Sequence, residues 1–154
     1  MPKSNERCFV KRKLRRRWEK TLLFPIDDPT ASKPFSKSLS IAMHWNDEFV
    51  NLAILEYKKF MFLCGSFPNE NFAPSLHVDT VWHMHLLYTH SYHRFCQEAL
   101  DCRFLHHEPS AGAPSEEQFH ENAYSSTLDL YQSFFGFPPS EILGERIRPS
   151  VEES

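Results

Sequence analysis

The chain has 154 residues, 41% apolar and 14% aromatic, with a formal charge of −3 at neutral pH. That length points to one domain with room for a substantial core, and the composition excludes a disordered chain. No apolar run reaches the roughly 18 residues of a membrane span, and no apolar stretch of about 7–15 residues follows the basic amino end as in a secretory signal.

The charge is unevenly spread. Residues 1–20 hold nine of the 17 basic residues against two acids, a net of +7, leaving −10 for the rest. The four cysteines (Cys8, Cys64, Cys96, Cys102) show no CxxC spacing. Free thiols in a reducing cytoplasm are therefore expected. The expected organisation is a basic arm or helix over residues 1–24, one helical domain over 25–144 and a polar tail over 145–154.

Residues 1–24 read as a basic helix with Val10, Leu14, Trp18 and Leu22 along one side. Such a helix either docks through Trp18 and Leu22 or offers residues 11–20 to an anionic partner, nucleic acid or protein. Residues 24–40 contain Pro25, Pro29 and Pro34 and read as a loop. The next helix has a clear start: Asn46 can cap it, with Trp45 packing on Val50 as a hydrophobic staple. It should run to about Cys64 and stop at Gly65. Phe49, Leu52, Ala53, Phe60 and Leu63 form its core face, and Glu56 falls in the middle. A lone carboxylate there would cost several kcal/mol, so Glu56 needs a histidine, a metal ion or an Arg/Lys as partner.

Residues 74–109 contain seven of the nine histidines. Ser75 is a helix start signal, and no proline or glycine follows until Pro109, so a long central helix over 76–100 is predicted. On a helical wheel Val78, Val81, Trp82, His85, Thr89, Tyr92, Cys96 and Ala99 share one face, with His85 in the apolar stripe. Asp79 and His83 lie one turn apart on another face, where they can bind each other or one ion. His83 and His85 point about 160° apart, so an undistorted helix cannot aim both at one ion. Residues 101–108 turn the chain back. Neighbours in an extended stretch face opposite sides, which sends one of His106 and His107 inward, and His106 is the residue expected there. A last helix starts at Ser115 with Gln118 completing a capping box, buries Phe119, Ala123, Leu130, Tyr131 and Phe134, and ends at Gly136 before Pro138 and Pro139. His120, near its start, reads as a surface residue.

The run from Pro74 through Ser75, Val78, Asp79, Trp82, His83, His85, Thr89, Tyr92, Phe95 and Cys96, followed by Phe104, His106, His107 and Pro109, resembles the glycine-rich domain-containing protein-like family. Glu56 to Phe60 resembles that family's EY-basic-basic-F element, and Tyr124, Tyr131, Phe135 and Gly136 resemble its closing helix. The resemblance implies a shared fold and a metal, and no particular reaction. This chain has only four glycines, so a role carried by a glycine-rich tail does not transfer.

The expected fold is all-α, an irregular bundle of about four main helices around the helix 76–100. The functional reading is a metal-binding protein, with zinc, iron, copper, nickel or manganese suiting imidazole and carboxylate ligands. Asp79, His83 and His106 are its first ligands or ligand orienters, and Glu56, His85 and His107 the next. Trp82 and Tyr92 would wall the site, Thr89 would support His85, and Cys96 reads as a buried thiol beside them. The competing reading is a helical interaction module whose His/Trp/Tyr cluster is a structural hydrogen-bond network and whose basic arm binds the partner.

Overall fold

Asn46 and Ser75 start two helices that position everything else. The Asn46 side chain accepts the Phe49 N–H at 2.8 Å, and Ser75 Oγ accepts that of Val78 at 3.3 Å. Each satisfies one of the free amides of a first turn, worth about 1 kcal/mol. A computed structural model describes residues 4–108 and 114–136, with backbone alone for 4–7, 114 and 115. The helices are α1 (Ser4–Leu23), α2 (Phe35–Met43), α3 (Asp47–Ser66), α4 (Leu76–Leu87), α5 (Thr89–Arg94) and α6 (Pro114–Phe135), with a π turn over Phe95–Ala99. The described residues contain no strand, and the fold is an all-α bundle. The polar tail, residues 145–154, and Pro138 and Pro139 lie outside the described residues, as does the Ser115 side chain. Gln118 turns to Asn122 at 3.1 Å.

The hub is α3, which packs against α1, α2, α4 and α6. Its side chains from Ala53 to Leu63 are buried on nearly every face, apart from Leu55, which is half-buried. Tyr57, Met61, Phe62 and Leu63 are fully buried, each stabilising by about 1.5–3 kcal/mol against exposure. Gly65 does not stop α3. The helix runs through it to Ser66, and the missing side chain makes room for Leu100: a Cβ on Gly65 would lie 3.2 Å from that of Leu100.

α1 and α3 close each other's carboxyl ends. Lys58 Nζ donates to the carbonyls of Leu22 and Phe24, both at 2.8 Å. Arg17 Nη1 donates to the Gly65 carbonyl at 3.4 Å and Ser66 Oγ at 3.2 Å. A cation at a helix carboxyl end satisfies free carbonyls and opposes the dipole. The docked face of α1 is Leu14, Arg17, Trp18 and Thr21 rather than the expected row: Val10 is 54% and Leu22 40% exposed.

Two further expectations need correcting. The proline-rich stretch after Phe24 holds α2, whose Phe35 and Leu39, one turn apart, are both buried. Pro34 caps it with extended backbone, a position that needs no N–H. In α6, Phe119 is 52% exposed, and the inward face is Ala123, Tyr124, Thr127 and Tyr131. Gly136, with φ of 78°, ends α6 as expected, in the left-handed conformation that glycine adopts without strain.

The segment 76–100 is not one straight helix. It breaks at Tyr88, whose N–H bonds the His85 carbonyl three residues back at 3.0 Å. No glycine or proline marks the break. Tertiary contacts hold it: the Tyr88 ring meets Phe35 at 5.3 Å, and its hydroxyl donates to Ser38 Oγ at 2.9 Å. Asp101, with φ of 53°, then turns the chain back, and Arg17 (3.6 Å) and Lys20 (2.7 Å) hold its carboxylate. No helix among the described residues is long and apolar enough to cross a membrane.

Candidate metal centre

α4 and the returning stretch after Asp101 meet at a cluster of Asp79, His83 and His107. One ligand-type atom from each lies within 4.8 Å of the other two. Asp79 sits in the first turn of α4 and His83 one turn on, so helical spacing brings them together. His83 Nδ1 lies 3.2 Å from Asp79 Oδ2 and 3.0 Å from the Asp79 carbonyl. His107 Nε2 bonds Asp79 Oδ1 directly. The His107 ring is 4.4 Å from those of Trp82 and His83. His107 and Asp79 are mostly covered, at 10% and 15% side-chain exposure, whereas His83 is 56% exposed. The cluster is closed on the protein side and open on the solvent side.

The returning stretch is held by a hydrogen-bond chain. Trp82 Nε1 donates to Tyr92 Oη at 3.0 Å, and Tyr92 donates to the Leu105 carbonyl. Burial pushes the Tyr92 hydroxyl up, which keeps its proton available for that bond. Leu105 packs against the core, and alternation puts residue 107 on the same side. The inward histidine is therefore His107. His106 is exposed, with its ring 4.9 Å from that of Phe104. Removing the Tyr92 hydroxyl would leave the Leu105 carbonyl unanchored. Were the cluster to hold an ion, Tyr92→Phe would weaken its binding about 10–100-fold, as loss of a supporting residue does, and the orphaned Trp82 N–H and Leu105 carbonyl would cost about 1–3 kcal/mol of stability. Titration of metal into both proteins measures it.

The other candidates lie elsewhere. Glu56, on the α3 face toward α6, accepts from Tyr131 Oη at 2.7 Å and pairs with Lys59 at 3.2 Å, and Lys59 donates to Tyr131 at 3.0 Å. All three are buried. His85, fully buried, bonds Tyr57 Oη through Nδ1 at 2.7 Å and Ser91 Oγ through Nε2 at 3.0 Å. The Tyr57 proton has no other acceptor among the described residues, so Tyr57 donates to Nδ1 and Nε2–H donates to Ser91. Thr89, expected to support His85, is exposed: the break at Tyr88 turns it outward and brings Ser91 in. Cys96 is buried in the same core. Its neighbour Cys102 holds its thiol down at about 7 against desolvation, with the Leu105 backbone and Tyr92 adding to the effect. All four cysteines are free. His120 is exposed and lies 3.9 Å from Glu116.

Burial, with Lys58 adding to it, lowers the His85 imidazole from 6.5 to about 3. The unfolded chain takes up this proton below pH 6.5 and the folded chain does not until about pH 3. Within that window stability falls as pH falls, by up to about 1.4 kcal/mol per pH unit. From pH 6.5 to 5 the contribution is about 1.6 kcal/mol. Urea unfolding of wild type and His85→Gln at both pH values should show the flatter dependence in the variant. Equal slopes would place the acid sensitivity in other groups.

The fold and the cluster define an all-α protein with a two-histidine, one-carboxylate group at the edge of its core. The chain belongs to the UCP032817-like family, an uncharacterised family whose model matches residues 31–126, a span that includes Asp79, His83 and His107. No curated protein and no solved structure matches it.

Proposed function

We propose that this is a metal-binding protein whose centre is Asp79, His83 and His107. The carrying observation is the convergence of three ligand-type atoms within 4.8 Å, two from one face of α4 and one from a separately anchored segment. Two imidazoles and one carboxylate on one side of an ion leave positions open on the other. The exposed edge of His83 puts those positions toward solvent, where water or a substrate has access. The donor set suits zinc, iron or manganese, with copper and nickel also compatible. An open position of this kind supports hydrolytic or oxidative chemistry. On this reading His107, rather than His106, is the ligand from the returning stretch, and Glu56 and His85 hold the core together. The reading places the protein in the cytoplasm as a relative of the glycine-rich domain-containing proteins.

A second reading has its own support. Asp79 and His107 bond each other directly, as a carboxylate–imidazole clasp would that ties the returning stretch to α4 without an ion. Elemental analysis of untagged protein, purified without chelator or added metal, separates the two. One equivalent of a transition metal supports the centre. No metal, and none taken up on reconstitution with zinc, iron(II) or manganese(II), leaves the clasp.

A further inference from the structure

α1 has two unlike halves. From Leu14 onward it docks, with Leu14 and Trp18 packed against Phe62, Leu63 and Tyr131. Ahead of Leu14 every described side chain, from Cys8 to Lys13, is exposed, and so are Arg15 and Arg16. Phe9 is 68% exposed. No acidic residue occurs between Arg7 and Trp18. Arg17 and Lys20 are engaged with Asp101, but the cations before them make no ion pair within the described residues.

The placement of Phe9 gives this half its character. Arg12, Lys13 and Arg16 lie three, four and seven residues on, which makes them its neighbours on the helix surface. Helical spacing puts the positions of three cations around that of the ring, and the Arg12 guanidinium lies 3.9 Å from Cys8 Sγ. Arg12, Lys13, Arg15 and Arg16 together spread over about 160° of the circumference on the side away from the docked Leu14 and Trp18, with Lys11 at its edge beside Trp18. A helix lying in a membrane interface needs a continuous apolar face, whereas here Leu14 and Trp18 are docked and the exposed Phe9 and Val10 lie about 100° apart among cations. Phosphates with an unstacked base between them match that arc: the base stacks on the ring and the phosphates meet the guanidinium and ammonium groups.

We propose that the outer face of α1 binds single-stranded nucleic acid, with Phe9 stacking a base and Arg12, Lys13 and Arg16 taking the flanking phosphates. The surface is separate from the metal cluster and does not depend on it.

The test is fluorescence anisotropy of labelled oligo(dT) and oligo(U) of about 12 nucleotides with the full-length protein. Three phosphate contacts give a slope of log affinity against log salt near −2, so affinity should fall roughly 20-fold between about 50 and about 200 mM salt. Phe9→Ala should weaken binding by about 5–150-fold with the slope unchanged. Arg16→Gln should make the slope shallower by about 0.7. Both residues are exposed, so neither change disturbs the core, and an unaltered melting curve verifies this. Asp79→Ala should bind the oligonucleotides like wild type, which keeps this surface distinguishable from the metal centre. No binding at the lower salt would overturn the proposal. So would an unaffected Phe9→Ala, which would mean nonspecific attraction to polyanions. Tighter binding to vesicles rich in phosphatidylserine than to either oligonucleotide would overturn it in favour of a membrane surface.

Discussion

With a metal held as proposed, Asp79→Ala is expected to abolish its stoichiometric binding while leaving the helical signal intact. Asp79 is the sole carboxylate of the cluster and touches both histidines. Its loss removes one ligand and frees the rings of the other two. The expected loss exceeds about 100-fold in affinity, beyond the 10–100-fold that supporting residues cost. The folding cost should be moderate, about 1–3 kcal/mol, since the covered His107 ring loses its partner. His107→Ala should behave in the same way, and His106→Ala should bind metal like wild type. Titration calorimetry with zinc or manganese(II) compares the three. If His106→Ala loses metal and His107→Ala keeps it, the choice between these adjacent residues is wrong.

Lys59→Met should be the most damaging substitution to the fold. Glu56 and Lys59 have 5% and 9% side-chain exposure, so each charge depends on the other and on Tyr131. Methionine fits the aliphatic part of the lysine and removes the ammonium group. Glu56 is then a buried carboxylate with one neutral donor. Breaking a buried pair from one side costs about 3–5 kcal/mol, a large share of a small domain's total stability. The lysine also lies 5.5 Å from the centres of the Tyr131 and Phe135 rings, so α6 should loosen with it. Adding Glu56→Gln should recover much of the loss, because the orphaned charge is gone. Chemical denaturation of the single and double variants measures this. A cost below about 1 kcal/mol for Lys59→Met would mean that the carboxylate is not held by charge pairing.

Local chemistry made much of the fold legible. Asn46 and Ser75 cap where their types say they should, and Gly136 ends α6 as a terminal glycine does. Glu56 and His85 stood out as polar groups at apolar positions that need partners. Their actual partners were not readable, because they depend on long-range packing: Tyr131 lies 75 residues from Glu56, and Ser91 reaches His85 only because the helix breaks at Tyr88. That break carries no local signal and rests on contacts with α2, itself concealed behind three prolines. Helical spacing alone paired Asp79 with His83. The third member of the cluster depended on whether Leu105 faces in or out. An apolar residue followed by strict alternation pointed to His107.

The mutual capping of α1 and α3 also determines how the molecule opens. Lys58 leaves the Leu22 and Phe24 carbonyls bare if it moves, and Arg17 does the same to Gly65. Neither helix can unwind back to Arg17 or Lys58 without exposing unsatisfied carbonyls on the other. The second half of α1 and the length of α3 therefore form one cooperative unit, whose amides exchange with solvent only in its shared opening. The amides ahead of Leu14 lie outside that unit and exchange through local fraying. The cationic turns can thus unwind and re-form while the core beneath them stays shut.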